Sequence, residues 1–285
     1  MAIRCVAARV PLEEVVKVKA VILAGGFGTR LSEETVDKPK PMVTVGGRPM
    51  LWHIMKILDA NGVREFVIAL GYRGDYIKQY FLDFYAVNND LTIDLATGAT
   101  TIHDDDRPDW RIHLVDTGLN TQTGGRLRRL RRWVEDDTFL FTYGDGVANL
   151  DVGALARFHR AHGKLATVTT VRPPSRFGNL ALEGPQVTAF HEKSVTSESW
   201  INGGYFVLEP GAIDYVSDDT AIWEREPVEG LARDGQLMGY RHPGFWSCMD
   251  TFKEKTMLEE MWSSGKAPWR IWGPEPAPVV KPVGD

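Results

Sequence analysis

The segment Leu23-Ala24-Gly25-Gly26-Phe27-Gly28-Thr29-Arg30-Leu31 puts three glycines and a cation directly behind a short apolar run, Val18–Ala24. Glycines in such a loop let main-chain N–H groups come close to an anion, so the chemistry on offer is phosphate binding. The loop is not a Walker A motif, because no Gly-Lys-Ser/Thr follows at the required spacing. Nor is it a dinucleotide fingerprint, since Leu31 stands where a third glycine would be needed. Taken alone it is either a phosphate cradle or a plain tight turn. The next stretch, Asp37-Lys38-Pro39-Lys40-Pro41-Met42, adds Lys38 and Lys40 to Arg30 on a segment stiffened by proline. Fixed cations beside a glycine loop suit a polyphosphate, whose chemistry depends on positioning and charge neutralisation. A solvated proline-rich loop with surface lysines is the plainer alternative.

Two carboxylates stand apart from the loop. Asp145 lies in Tyr143-Gly144-Asp145-Gly146-Val147, at the carboxyl end of an expected strand over 138–143, where open α/β sheets bind ligands. Asp-Gly is also a common turn. Asp250, in Trp246-Ser247-Cys248-Met249-Asp250-Thr251, precedes an expected helix and could serve as its N-cap. As a pair they offer what Mg²⁺ takes: a few carboxylate oxygens, with waters and substrate phosphates completing the shell. Cys248 beside Asp250 reads as a small buried thiol rather than a nucleophile. His159 and His162, three apart on an expected helix, have no third ligand nearby and read as a helix-end pair.

Positioning these groups requires alternating strands and helices. Val18–Ala24 is β-branched and short, a buried strand feeding the glycine loop. Leu51, Ile54, Met55 and Leu58 recur at helical spacing over 49–61, with Pro49 at the start and Gly62 beyond the end. Phe66–Leu70 is a second strand, and Ile77, Tyr80, Phe81 and Phe84 share one helical face. This β-α-β-α order predicts a mostly parallel sheet with crossover helices. Short alternating stretches over 91–115 predict hairpins or edge strands. The pattern then resumes with a helix over 125–134, a strand over 138–143, a helix over 152–162 and a strand over 165–171. A hairpin over 179–192 and a strand over 201–208 follow. Helices are expected over 221–234 and 251–263, with a strand over 236–240 between them. One α/β domain over 18–272 with small β insertions accounts for this better than two domains. Residues 1–17 read as an extension, and 273–285 as a proline-rich tail.

Composition excludes several classes. Thirty-three Lys and Arg face 38 Asp and Glu, a net charge of −5, so nothing global favours nucleic acid or an anionic membrane. Nine Trp, eight Tyr and twelve Phe argue against a disordered chain. Cys5 and Cys248 are the only cysteines, too few for a disulfide framework or a four-thiolate zinc site. The first residues lack the apolar stretch of a signal peptide, and no window approaches the roughly 20 apolar residues of a spanning helix. A cytoplasmic protein is the expectation. Five arginines crowd Arg126–Trp133, but Leu127, Leu130 and Val134 give that stretch an apolar face. It reads as a packed helix with a solvated basic side.

LAGGFGTRL followed by KPKPM closely resembles the signature of sugar-1-phosphate nucleotidyltransferases. The likeness continues through LWHIMK, DTG with TGGRL, FTYGDGV, HGK, RFGNL, INGGYFV and PGFWSCMDT, across nearly all of Lys19–Trp272. It implies a Rossmann-like α/β fold, the nucleotide-diphospho-sugar transferase fold: a mixed, mostly parallel sheet flanked by helices. It implies Mg²⁺ held by Asp145 and Asp250, with Lys38 on the triphosphate and Arg30 neutralising developing charge. Leu23, Ala24, Gly25, Gly26, Gly28 and Thr29 would wrap the nucleotide, joined by Thr121, Arg126 and Gly144. Glu192 and Lys193 would meet the sugar phosphate, and Asn202 and Gly203 would line the sugar pocket. Ser194 stands where the family's usual proline follows that Glu-Lys pair. The later motifs resemble the branch that joins CTP to glucose 1-phosphate, giving a CDP-sugar for deoxysugar or O-antigen-type polysaccharide. Uridylyl or thymidylyl transfer is the alternative within the family, and a non-catalytic, nucleotide-sugar-binding regulator the alternative outside catalysis. The resemblance also implies a homo-oligomer.

Overall fold

The apolar run before the glycine loop forms β1 (Ala20–Leu23), with all four residues buried. Ala20 and Ile22 point into one hydrophobic layer and Val21 and Leu23 into the other, the alternation expected of a strand covered on both faces. The computed structural model describes residues 18–103, 108–173, 179–183, 186–191 and 199–273. The expected N-terminal extension lies outside the described residues, as does all but the first residue of the proline-rich tail.

From β1 the chain makes a 3-10 turn at Thr29–Leu31, α1 (Ser32–Thr35) and a second 3-10 turn at Lys40–Met42. A small hairpin, β2 (Thr44–Val45) and β3 (Arg48–Pro49), leads into α2 (Met50–Ala60). Then come β4 (Glu65–Leu70), α3 (Gly74–Leu82), α4 (Phe84–Asn88), the hairpin β5 (Leu91–Asp94) and β6 (Ala99–Ile102), and β7 (Arg111–Asp116). The middle of the chain supplies α5 (Thr123–Arg129), α6 (Arg131–Val134), β8 (Phe139–Tyr143), β9 (Gly146–Ala148), α7 (Val152–His162) and β10 (Ala166–Val171). The hairpin β11 (Asn179–Glu183) and β12 (Gln186–His191), β13 (Ile201–Leu208), α8 (Glu226–Arg233), β14 (Leu237–Arg241), β15 (Trp246–Cys248) and α9 (Phe252–Ser263) complete it.

Seven strands form one sheet in the order β14-β10-β13-β8-β1-β4-β7. β1 runs parallel to β4 and β8, β4 to β7, and β10 to β14. Only β13 runs against its neighbours in that sheet, β10 and β8. The hairpin β11–β12, rather than a crossover helix, separates β10 from β13, and an antiparallel neighbour needs no crossover. The mixed, mostly parallel α/β sheet is the architecture the sequence pattern predicts.

Three expected helices differ. The one carrying Ile77, Tyr80, Phe81 and Phe84 ends at Leu82, and Phe84 opens α4. The helix over 125–134 begins earlier, at Thr123, and breaks at Leu130, whose backbone leaves the helical region at φ −89° and ψ 0°. The helix over 221–234 starts only at Glu226, because Pro227 suits a first turn and not an interior. The basic stretch behaves as expected: Leu127, Leu130 and Val134 are buried, while Arg129 and Arg131 pair outward with Asp219 and Asp214. His159 and His162 both meet the hydroxyl of Thr167, at 2.8 and 2.7 Å, and His159 Nε2 reaches Glu209 at 3.1 Å.

His53 on α2 is fully buried among Trp52, Trp262, Trp269 and Trp272. Trp269 Nε1 donates to its Nδ1 at 3.3 Å, so its Nε2 carries the proton and donates to Val45 O at 2.8 Å. Burial pushes its pKa down to about 4. Unfolded chains take up this proton near pH 6.5, before the folded state does, so stability is full above 6.5 and falls as the pH drops toward 4. The expected loss is about 3 kcal/mol across that window. Urea midpoints at pH 7.5 and 4.5 check it: His53→Gln should show a smaller acid-induced drop than the wild type, and equal drops would refute the assignment.

Candidate active site

The glycine loop is held from behind by Arg126, which α5 buries beneath it. Arg126 Nη1 donates to Leu70 O at 3.0 Å, Thr117 Oγ1 at 2.7 Å and Gly118 O at 2.8 Å. Its Nη2 donates to Gly25 O at 2.9 Å and Leu119 O at 3.2 Å. One guanidinium thus ties the loop to the end of β4 and to the β7–α5 connection. Burial depresses its pKa, and the nearby charge of Asp116 partly offsets this. Gly25 must lack a side chain, because a Cβ there would sit 2.3 Å from Arg126 Nη1. Gly28 takes φ +67°, and its carbonyl accepts from Leu31 N at 3.0 Å and Thr35 Oγ1 at 3.1 Å.

Between this loop and the segment Leu119–Thr123 opens a cleft of about 450 Å³. Leu23, Ala24, Gly25, Gly26, Gly28 and Thr29 line one side, and Thr121 and Arg126 the other, with Gly144 and Asp145 at the end of β8. The sequence placed all of these at the nucleotide or the metal. Arg126 lines the cleft, yet its Nη hydrogens are already engaged, so what it does there is hold the walls together.

At the far end three charges meet. β15 pairs antiparallel with β9, Cys248 opposite Gly146, and Met249 N donates to Asp145 O at 2.9 Å. That register sets Asp250 beside Asp145. The N-cap of α9 is Thr251, not Asp250: Thr251 and Glu254 form a reciprocal capping box, and Glu254 also accepts from Asp250 N at 2.8 Å. The carboxylate of Asp250 is thereby spared for the cleft. Lys40 Nζ lies 2.5 Å from Asp145 Oδ2 and 2.5 Å from Asp250 Oδ1. Burial alone would lower the pKa of this lysine, but the charge and hydrogen bonds of Asp145 and Asp250 prevail and raise it. Gly144 makes the approach possible, since a Cβ there would come within 2.6 Å of Pro41 Cγ.

The resemblance named Lys38 as the lysine for the triphosphate; the lysine that the structure sets against the two carboxylates is Lys40. Lys38 faces Glu34 at 3.4 Å, a carboxylate it shares with Lys255 of α9. The signal was present: Lys40 stands between Pro39 and Pro41, in the stiffest part of the segment. Cys248 lies near Asp250, Sγ to Oδ2 3.7 Å, and burial pushes its thiol up to about 12, which keeps it protonated and unreactive. Asn202 and Gly203 sit on β13, next to Gly204, which packs on the ring of Tyr143 in the cleft wall. Trp246 Nε1 donates to Gly203 O at 2.6 Å, tying β15 to β13. Glu192, Lys193 and Ser194 lie outside the described residues; of Arg30 only the backbone is described, in the 3-10 turn after the loop.

The donor set suits a hard divalent cation. An ammonium already bridges the two carboxylates, which marks the point between them as a cation position. Among the described residues no cluster of three or more His, Cys, Asp or Glu offers a closed metal cage. Two carboxylates at an open cleft leave room for water and phosphate oxygens, the shell Mg²⁺ prefers. Among the described residues no helix is long and apolar enough to cross a membrane.

The family model for nucleotidyl transferases matches residues 19–232. A glucose-1-phosphate cytidylyltransferase of Salmonella typhi is 51% identical over 255 residues, covering 89% of this chain and 99% of that protein. A probable glucose-1-phosphate cytidylyltransferase of Bacillus subtilis is 45% identical over 255 residues, covering 89% and 100%. The crystal structure of HddC from Yersinia pseudotuberculosis superposes with a TM-score of 0.65 at 22% identity, over 86% of this chain and 99% of that one, a likeness of fold. The family model over most of this chain and relatives at 45–51% identity over nearly their whole length show that this chain belongs to the nucleotidyl transferase family.

Proposed function

We propose that this chain transfers the cytidylyl group of CTP to α-D-glucose 1-phosphate, giving CDP-glucose and pyrophosphate, through one domain spanning 18–272. Such a product feeds deoxysugar and polysaccharide assembly. The observation that carries the reaction type is the placement of Lys40, Asp145 and Asp250 at one end of a glycine-walled cleft. The choice of CTP and glucose 1-phosphate rests on the two relatives that match over nearly their whole length.

In this reading a phosphate oxygen of glucose 1-phosphate attacks the α-phosphorus of CTP in line, one P–O bond forms, and the bond to the pyrophosphate oxygen breaks. The attacking phosphate is already ionised near pH 7, so no general base or covalent nucleophile is required. The loop Gly25–Thr29 holds the triphosphate by main-chain groups, with Gly144 at the floor and Thr121 across the cleft. Asp145 and Asp250 would hold Mg²⁺, which would supply positive charge for phosphate oxygens. Lys40 lines the cleft, and Lys38 and Arg30 would add positive charge for the triphosphate and the leaving pyrophosphate. Glu192 and Lys193 position the sugar phosphate, and Asn202 and Gly203 the sugar. A homo-oligomer is part of the proposal.

Pyrophosphate release with glucose 1-phosphate and Mg²⁺ tests it, run in parallel with CTP, UTP, dTTP, ATP and GTP. CTP should lead in kcat/KM by on the order of a hundredfold, the discrimination a few hydrogen bonds to the base can supply. Preference for UTP or dTTP would overturn the base assignment and keep the chemistry. Silence with every triphosphate and with other hexose 1-phosphates would overturn catalysis and favour a nucleotide-sugar-binding regulator.

A further inference from the structure

Lys40 takes the oxygens that a cation would need. Its ammonium is 2.5 Å from both Asp145 Oδ2 and Asp250 Oδ1, and its side chain is only 12% exposed. Two carboxylates drawn from positions 105 residues apart repel each other, and this ammonium neutralises the repulsion. An ammonium has three hydrogens, and two are spent here, so while it bridges both aspartates it is poorly placed to serve a triphosphate. A divalent cation in contact with the same oxygens would meet the lysine's own charge at close range. The two cations compete for one position.

The surroundings give the lysine somewhere to go. Its stem passes against the glycine loop, where a Cβ on Gly28 would lie 3.0 Å from Lys40 Cβ, and the residue lines the cleft. Lys40 lines the cleft as well as reaching the carboxylates, so a change of side-chain rotamer is the movement an exchange requires. We propose that Lys40 is a displaceable internal cation: it occupies the place between Asp145 and Asp250 in the free protein and leaves it for the triphosphate when nucleotide and divalent metal enter together. The free protein therefore binds divalent metal weakly. Nucleotide raises the affinity for metal, and by linkage metal raises the affinity for nucleotide to the same degree. Charge at the carboxylates is never left unbalanced at any stage. The inference rests on the proposed metal site at Asp145 and Asp250.

Mn²⁺ titration of the full chain, read by electron paramagnetic resonance, tests it without turnover, first alone and then with α,β-methylene-CTP. Lys40→Met should bind Mn²⁺ at least tenfold more tightly than wild type when no nucleotide is present. Its further gain on adding the analogue should be at least tenfold smaller than the wild-type gain. Lys40→Gln, neutral and able to hydrogen-bond both carboxylates, should move the same way and serves if the methionine variant folds poorly. Lys78→Met removes the same charge from an exposed lysine on α3, outside the cleft lining, and should stay within twofold of wild type. Wild-type affinity in both Lys40 variants overturns the competition, and equal tightening in the Lys78 and Lys40 variants reduces it to general charge and also overturns it. Absence of Mn²⁺ binding in every protein, with the analogue present, overturns the metal site itself and this inference with it.

Discussion

Replacing Asp145 by Asn is expected to lower kcat/KM for nucleotidyl transfer by roughly a thousandfold or more, about 4 kcal/mol of transition-state stabilisation. Asn keeps the shape and can still accept from Lys40, but it loses the charge that holds a divalent cation against phosphate oxygens. The backbone bond from Met249 N to residue 145 is untouched, and so is the β9–β15 register that sets the site. One charge-assisted hydrogen bond becomes a neutral one, so the thermal midpoint should fall by only about 2–4 °C. Asp250→Asn should behave alike, and the double variant should cost little more than either alone, because the pair acts as a unit. Steady-state kinetics with a Mg²⁺ titration, beside thermal unfolding, checks all three. Near-normal turnover in Asp145→Asn would remove Asp145 from the metal site.

Removing the clasp beneath the glycine loop should damage stability and binding together. Arg126→Ala deletes hydrogen bonds to five acceptors on three separate segments, and leaves a buried gap where the guanidinium stood. The expected destabilisation is about 3–5 kcal/mol, a fall in thermal midpoint on the order of 10 °C. Leu70 O and Gly25 O keep a partner each, from Thr117 and Tyr72, which limits the loss. Arg126→Lys is the sharper variant. It preserves the charge, but an ammonium cannot span acceptors arranged around a planar fork, so most of the stability should still be lost. Because the loop would no longer be fixed to the β7–α5 connection, CTP binding should weaken at least tenfold. Calorimetric titration of CTP and thermal unfolding read the two effects separately. A lysine variant with wild-type midpoint and wild-type CTP affinity would show that the loop needs no clasp.

Much of this chain was legible before any fold was known. Strand β1 and the loop after it follow from a β-branched run meeting three glycines. The burial of Leu127, Leu130 and Val134 beneath a basic surface follows from their spacing. Glycine content and neighbouring cations made the loop legible as a phosphate cradle or a tight turn; that Leu23 to Thr29 would face a nucleotide came from the family resemblance, and these residues line the cleft. Elements were misjudged where a local break competes with periodicity, as at Leu130 inside the arginine-rich stretch and at Pro227 ahead of α8.

Other assignments depended on contacts between distant segments. Asp250 was equally readable as a helix cap; only the capping box of Thr251 with Glu254 and the pairing of β15 on β9 turn it toward Asp145. Lys38 and Lys40 differ by two positions and share a charge; the prolines on both sides of Lys40 mark the stiffer position, but not which distant carboxylate it meets. The choice is made by Pro41 packing on Gly144, at the end of a strand a hundred residues away, and by Glu34 drawing Lys38 aside. The resemblance singled Arg126 out of five arginines as a nucleotide-pocket residue, but only burial shows it tying three separate segments together. The physical division is one of range. Backbone preference, turn chemistry and hydrophobic period act over a dozen residues and can be read along the chain, whereas which of two like charges meets a distant carboxylate is decided by sheet register and close packing.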